Sequence, residues 1–550
     1  MNDSSSRKSE PAKPKSAGSW FDHFSSRVAP WRGVATSEGR KLRIYWGPLL
    51  CWLVLGAAGF WLLLAAYICH FMKNERAFNE VRYSQVLQMP WRWEEFKRSK
   101  AEYWVRQGLE LYRVGQFREA YDLLRAGVPE VPGQTEARLA LARIYLMAGR
   151  NDFTRDLLIE GLAHNADQFD YVRSVLGFLF SQQADEVVAT LMAKLIETHP
   201  PDSKLGQLAR SAQAIAFFNR DHYAEAEQTL KEGGLLNNPQ SRLLLARIAW
   251  DKGLHETALL KLRELHRDYP ADDEIYSNLV AHLRQTDNVA EIRRVSVDRQ
   301  IKFPDRSEAY LEFLNISQDP AEHARRAEAE RDYLNHFSNQ PEALGKLSDY
   351  SAKNARVALA EAILMQCRGL SKGLQGAASA VIAANLEAGQ HSQALARIDT
   401  LGAEDLGWSE PQRVVLAGYR MVALFGLGKE VEAEPELGRL LESRYLSAQL
   451  ATGLALRLQR MGQSESVLKL LRHAVEADVL HQPALVALLR AEQPVRDLAE
   501  LRPLVERLPT LRKPPADLLA QLRATFESDR YLYLPKRAEL VAKLAPRGGQ

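Results

Sequence analysis

Apolar and polar positions along this chain follow two different rhythms. Between Ile44 and Met72, 29 consecutive positions hold no Asp, Glu, Lys or Arg. From Leu49 to Cys69 almost every side chain is apolar. At about 1.5 Å per residue such a stretch makes a helix roughly 31 Å long, enough for one bilayer core. Gly47-Pro48 suits a helix start, since proline in the first turn loses no hydrogen bond. Trp46 and Tyr67 stand where interfacial aromatics stand. The pattern predicts a transmembrane helix over 44–72. An uncleaved anchor is expected, because the apolar stretch is too long for a signal peptide and no small-x-small cleavage site follows it.

After the span the rhythm changes to helical spacing interrupted at intervals by glycine or proline. Residues 73–100 read as a juxtamembrane helical linker, with Pro90 opening a segment that carries Trp91, Trp93 and Phe96. From residue 101 an internal period emerges. Gly115 and Gly149 are 34 positions apart, as are Pro270 and Pro304, and Gly428 and Gly462. Pro200 follows Pro132 by two such periods. A repeat of this length, each copy a pair of helices, is the signature of a stacked array.

The first copy shows the contents of one period. Gly108 is a small residue within the first helix, Gly115 lies in the turn and Phe117 follows it. Ala120 is the small residue of the second helix, Leu124 is apolar and Pro132 ends the pair. Leu139, Ala142, Tyr145, Gly149 and Leu158 keep the register, with Thr154 where an alanine would be usual. Ala214, Phe217, Tyr223, Ala226 and Leu230 fit again, and so do Ala246, Gly253, Ala258, Leu262 and Pro270. This pattern resembles the tetratricopeptide repeat. The resemblance is close over 101–304 and looser over 375–475, where Gly389 with Ala394, Gly428 with Ala433, and Gly462 with Leu471 recur. The residues between, 305–374, read as an irregular helical segment off the register, and 476–550 as a helical cap. The expected fold is therefore all-α: a single N-terminal transmembrane helix followed by a tetratricopeptide-like α-solenoid, stable only as a stack of neighbours.

The resemblance implies a groove lined by the first helices of successive pairs, in which extended peptide segments lie. Carried onto this chain, the groove positions include Tyr112, Arg113, Arg143, Arg247, Trp250, Ser277 and Arg284. Arginines beside Tyr112 and Trp250 would suit a segment bearing carboxylates. The family's clamp for a C-terminal carboxylate needs Lys and Asn at set positions. Val105 and Leu109 stand there instead, which argues against a clamp.

Charge and cysteine use change the picture only at the N-terminus. Residues 1–43 carry 9 basic and 4 acidic residues, whereas the rest of the chain carries 63 and 65. A near-neutral domain has no global pull towards nucleic acid. The basic tail, largely disordered by composition, serves topology and contact with anionic lipid. Trp20, Phe21, Phe24 and Val28 have helical spacing and could lie on a membrane surface. Five basic residues in the 17 before the span against three in the 17 after it place the tail in the cytoplasm and the large domain outside, in the periplasm of a bacterium. Cys51 and Cys69 lie in the span and Cys367 is alone, so there is no disulfide framework.

Catalytic motifs are missing from the sequence: there is no phosphate-binding glycine loop, no His-Glu-x-x-His and no Gly-x-Ser-x-Gly. The charged runs Glu291–Arg294 and His323–Arg331 read as solvated helix faces. No cofactor, no metal and no enzyme activity is expected. The function expected is that of an inner-membrane scaffold binding protein partners or extended peptides, in envelope assembly or protein translocation. A regulatory subunit of a polysaccharide-export machine is the alternative, and an enzyme with an unrecognised site the third.

Overall fold

The computed structural model describes residues 31–36, 39–44, 46–74, 78–316, 323–492 and 500–545. The disordered stretch expected at 1–18 and the surface helix expected through Trp20 to Val28 lie outside these residues. Within the expected tail, strands β1 (Trp31–Thr36) and β2 (Gly39–Ile44) pair antiparallel, with Trp31 opposite Ile44 and Thr36 opposite Gly39. This short ladder is the one exception to an otherwise helical fold among the described residues, and a disordered tail running to residue 43 did not anticipate it.

Helix α1 (Trp46–Asn74) follows, the same length as the expected span 44–72 and displaced from it by two residues towards the C-terminus. Its segment Leu49–Asn74 is long and apolar enough to cross a membrane. The chain divides into two compact units, Met1–Val175 and Leu176–Gln550. In the first, α2 (Tyr83–Gln88) turns back along α1. The Trp61 indole donates to the Leu87 carbonyl at 3.1 Å, and the Tyr83 hydroxyl to the Leu62 carbonyl at 2.9 Å. Ala65, Phe78, Val81, Val86, Phe96 and Tyr103 bury one another there. The last two belong to α3 (Trp93–Arg113), which is one helix across the expected boundary between linker and first repeat.

Helix α3 pairs with α4 (Phe117–Gly127), and α5 (Thr135–Met147) with α6 (Asn151–Asn165). A Cβ on Gly108 would stand 2.8 Å from Leu124 Cγ, so only glycine fits where the first pair crosses. Ala120 is fully buried on the other side of that crossing. Helix α7 (Phe169–Ser181) spans the division between the units.

The second unit continues with α8 (Asp185–Thr198), α9 (Lys204–Asn219), α10 (Tyr223–Glu232), α11 (Pro239–Asp251), α12 (His255–Asp268), α13 (Asp273–Gln285) and α14 (Val289–Lys302). Next come α15 (Ser307–Ile316), α16 (His323–His336), α17 (Pro341–Lys353), α18 (Val357–Leu370), α19 (Leu374–Glu387) and α20 (His391–Ala403). The chain closes with α21 (Glu410–Gly426), α22 (Glu430–Leu441), α23 (Ala448–Arg460), α24 (Ser464–Ala477), α25 (Gln482–Glu492), α26 (Arg502–Arg507), α27 (Ala516–Glu527) and α28 (Arg537–Lys543). Local signals set the starts: the Asp272 carboxylate accepts from the amides of Glu274 and Ile275, and Pro239 and Pro341 open their helices. Ala226, Ala258, Ala394 and Ala433, the small residues of the second helices, are fully buried.

The turns inside the pairs reveal a longer register than the glycines suggest. Positive φ recurs at Gly115, Gly149, Gln183, Asp221, Gly253, Asp287, Ala355, Gly389, Gly428 and Gly462. Ala355 lies 68 positions after Asp287, two periods of 34, and 34 before Gly389. The turn at Ala355, inside the stretch 305–374, therefore falls on the period although no glycine marks it. A left-handed alanine carries backbone strain of about 1–2 kcal/mol, partly offset by the greater freedom of glycine in the unfolded chain. Ala355→Gly should raise the denaturant midpoint, by about 0.5–1 kcal/mol in stability. A lowered midpoint would mean that the methyl group makes a packing contribution larger than the strain.

A second reading is corrected nearby. The run His323–Arg331 was expected to be solvated, yet Arg326 and Glu330 are buried. Glu330 can turn inward because Arg356, 26 positions on, donates two 2.8 Å hydrogen bonds to its carboxylate. That pairing also holds the Arg356 guanidinium protonated more firmly than usual.

Candidate partner-binding surface

The residues expected to line a groove fall in both units. In the first, Tyr112 and Arg113 end α3. Tyr112 is half-buried with its ring edge-on to Phe117 at 5.6 Å. Arg113 pairs with Glu136 at 2.7 Å, both side chains well exposed. Arg143, on α5, is exposed.

Beside them runs a ladder of rings and guanidinium groups. Tyr121 meets Tyr145 edge-on at 5.8 Å, and Tyr145 stacks on Phe153 at 5.7 Å. Arg125 lies 5.8 Å from the Tyr121 ring and Arg150 5.4 Å from the Phe153 ring. Burial, then the neighbouring Tyr121 hydroxyl, pushes the Tyr145 phenol up. Val114, Phe117, Met147 and Phe153 leave large apolar surfaces open around the turns at Gly115 and Gly149. Sequence reasoning placed partners on the first helices and passed over these turn residues. The available signal was a large apolar residue on either side of each turn glycine, at the end of the pair where burial is least complete.

In the second unit, Arg247 and Trp250 lie on α11 and Arg284 on α13. Arg247 is half-buried, its guanidinium 4.7 Å from the centre of the Phe218 ring. Trp250 is 9% exposed; it packs between His255 at 4.2 Å and His282 at 4.3 Å, and its indole donates to Gln285 at 3.1 Å. Arg284 pairs with Glu312. Burial, only partly offset by Arg284, holds the Glu312 carboxyl above the usual range. Arg247 and Trp250 share a helix but differ in kind: one is a guanidinium over a ring, the other a packed core side chain with one edge at the surface.

Among the described residues, no three His, Cys, Asp or Glu side chains converge as a metal site requires. What these surfaces offer chemically is stacking, cation–π contact and charge-assisted hydrogen bonding, the means by which peptides and proteins are held.

No curated protein matches the chain. Among solved structures it is similar to PilF of Pseudomonas aeruginosa, at 14% identity over 40% of this chain and 97% of that one, with a TM-score of 0.27. A tetratricopeptide repeat protein of Parabacteroides merdae is 14% identical over 46% of this chain and 98% of that one, with a TM-score of 0.29. Yeast Tom70 is 13% identical over 86% of this chain and 98% of that one, with a TM-score of 0.31. Residues 111–177 match the tetratricopeptide repeat family model, and they contain the turns at Gly115 and Gly149 and the aromatic ladder between them. The helical pairs, the buried small residues and that match agree: the chain is an all-α repeat fold whose residues 111–177 match the tetratricopeptide repeat.

Proposed function

We propose that this protein is a membrane-anchored scaffold that recruits protein partners through its solenoid surface, in envelope assembly or protein translocation. Helix α1 would be the anchor. Leu50, Leu53, Val54, Leu55 and Phe60 are all exposed on it, and such apolar surface is costly in water and suited to lipid. The basic residues before it favour a cytoplasmic N-terminus and a large domain on the other side of an inner membrane.

The observation that carries the partner-binding reading is the open patch on the first two pairs. Exposed apolar side chains at Val114, Phe117, Met147 and Phe153, interleaved with Arg125, Arg143 and Arg150, match the composition of interface anchors. Tyr112 and Arg113 border the patch; on the second unit, taken by itself, Arg247, Trp250 and Arg284 are the proposed contacts.

The test is affinity capture from solubilised membranes with the tagged full-length chain. Arg143→Glu with Phe153→Ser should reduce partner recovery at least tenfold while circular dichroism stays unchanged, since both side chains are exposed. Recovery equal to the parent would exclude this patch. In the same preparation, alkaline carbonate should leave the parent in the membrane pellet; its release as intact protein would rule out the anchor.

A further inference from the structure

In the second unit three successive turns between paired helices are not open. The segment Leu508–Pro514, which joins α26 to α27, lies across them. The Arg512 guanidinium donates to both oxygens of Asp185, at 2.8 and 2.6 Å, and the Arg512 amide donates to the Gln183 side chain at 3.1 Å. Asp185 is fully buried and also accepts from Asn219 at 2.8 Å. Arg220, at the next turn, donates to the Thr510 carbonyl at 2.9 Å and to the Gln183 carbonyl at 2.8 Å. At the third turn Lys513 pairs with Asp251, and its ammonium stands 3.4 Å from the centre of the Phe218 ring. These contacts join residues 262 to 329 positions apart.

The geometry has the parts of a peptide site. A buried carboxylate is costly unless a cation meets it; here Arg220 on the next turn stands 3.4 Å away, and the distant Arg512 supplies the hydrogen-bonded guanidinium. A second carboxylate and an aromatic face take the adjacent ammonium. Prolines at 509, 514 and 515 limit the freedom of the segment, so little entropy is lost when it docks. The segment has two separate anchors. Leu508 and Leu511 are buried in the core of the C-terminal helices. The Arg512 and Lys513 side chains, the Arg512 amide and the Thr510 carbonyl reach the turns, and the two side chains remain 26% and 35% exposed. Releasing the turns therefore requires two side chains and two backbone hydrogen bonds, at Thr510 and the Arg512 amide, to let go, not the core to open. Lys513 also sits at φ 44°, a strained conformation that release would relax.

We propose that the turns at Gln183–Asp185, Phe218–Tyr223 and Asp251 are a recognition site for short segments carrying an Arg-Lys pair beside proline, which the chain's own Arg512 and Lys513 fill as an exchangeable self-ligand. The inference rests on the partner-binding reading above and names one partner chemistry at a different surface. A segment of the same chemistry on another protein would compete for Asp185 and Asp251. The charge preference is the reverse of the carboxylate-bearing segment suggested by the groove arginines.

The test uses the full-length protein in detergent and a fluorescent peptide with the sequence of residues 508–516. A control peptide carries Glu-Glu in place of Arg-Lys. The variant Arg512→Ser with Lys513→Ser should bind the first peptide at least tenfold more tightly than the parent does, and should ignore the second. Adding Asp185→Asn should remove that binding. In the parent, hydrogen exchange at residues 510–513 should be faster than in α25 and α27. A variant that folds but binds no peptide, a variant that loses its helical signal, or exchange as slow as in the flanking helices would each make the segment a permanent clasp and overturn the proposal. Partner capture through Arg143 and Phe153 would survive that outcome, so the two readings fail separately.

Discussion

Ala258→Trp and Ala120→Trp should each destabilise their helical pair by more than about 2 kcal/mol, because a large ring cannot enter a filled crossing without displacing backbone. Both alanines are fully buried. The crossing opposite Ala120 is so close that even a methyl group on Gly108 would strike Leu124. The control is Arg113→Ala. Its ion pair with Glu136 is exposed on both sides, and such pairs contribute roughly 0–1 kcal/mol. Thermal melts followed by circular dichroism compare the three. Tryptophan variants that melt with the parent would show that the pairs do not cross at these alanines.

Glu330→Ala should cost about 3 kcal/mol. The Glu330 side chain is 6% exposed, and its carboxylate accepts both Arg356 hydrogen bonds. Removing it strands a guanidinium that is itself only partly open to water, at 29% exposure, which puts the effect at the lower end of the range for a broken buried pair. It also takes away one of two acceptors of the buried Tyr350 hydroxyl, at 3.5 Å beside the Leu314 carbonyl at 3.4 Å; burial and then Glu330 push that phenol up to about 12. Glu330→Ala with Arg356→Met should recover part of the loss, since two apolar side chains leave no unpaired charge. A single variant as stable as the parent would mean that water reaches Arg356 freely once the carboxylate is gone.

The sequence made the pairing of helices legible where small residues and glycine coincide. Ala120, Ala226, Ala258, Ala394 and Ala433 all lie at full burial, as their spacing required. The register was lost at Ala355, where the left-handed turn holds an alanine under strain in place of glycine; Gln183, Asp221 and Asp287 take the same conformation inside the stretch that was read in register. The charged run at 323–331 misled for a related reason. A charge pattern along one helix cannot show a partner on another, and Arg356 is what permits Glu330 to face inward. The candidate surface was half legible. The exposed arginines and Tyr112 followed from position within the repeat, whereas Trp250 is largely packed between two histidines and the open rings at Phe117 and Phe153 depend on which turns stay uncovered. The docking of residues 508–514 left no trace in the period, since it joins positions that no repeat length relates.

The cluster that binds α1 to α2 and α3 has a mechanical consequence. Ala65 on the apolar helix and Tyr103 on the first repeat helix belong to one buried set, and α3 runs unbroken from Trp93 to Arg113. The first pair of the scaffold is thus bolted to α1 and does not hang from it on a leash. A flexible leash would let a captured cargo sweep a hemisphere of positions, diluting it. A partner held on the first pairs, as proposed, would take one bearing and one standoff from this joint, so that rotation of α1 about its own axis would turn the partner with it.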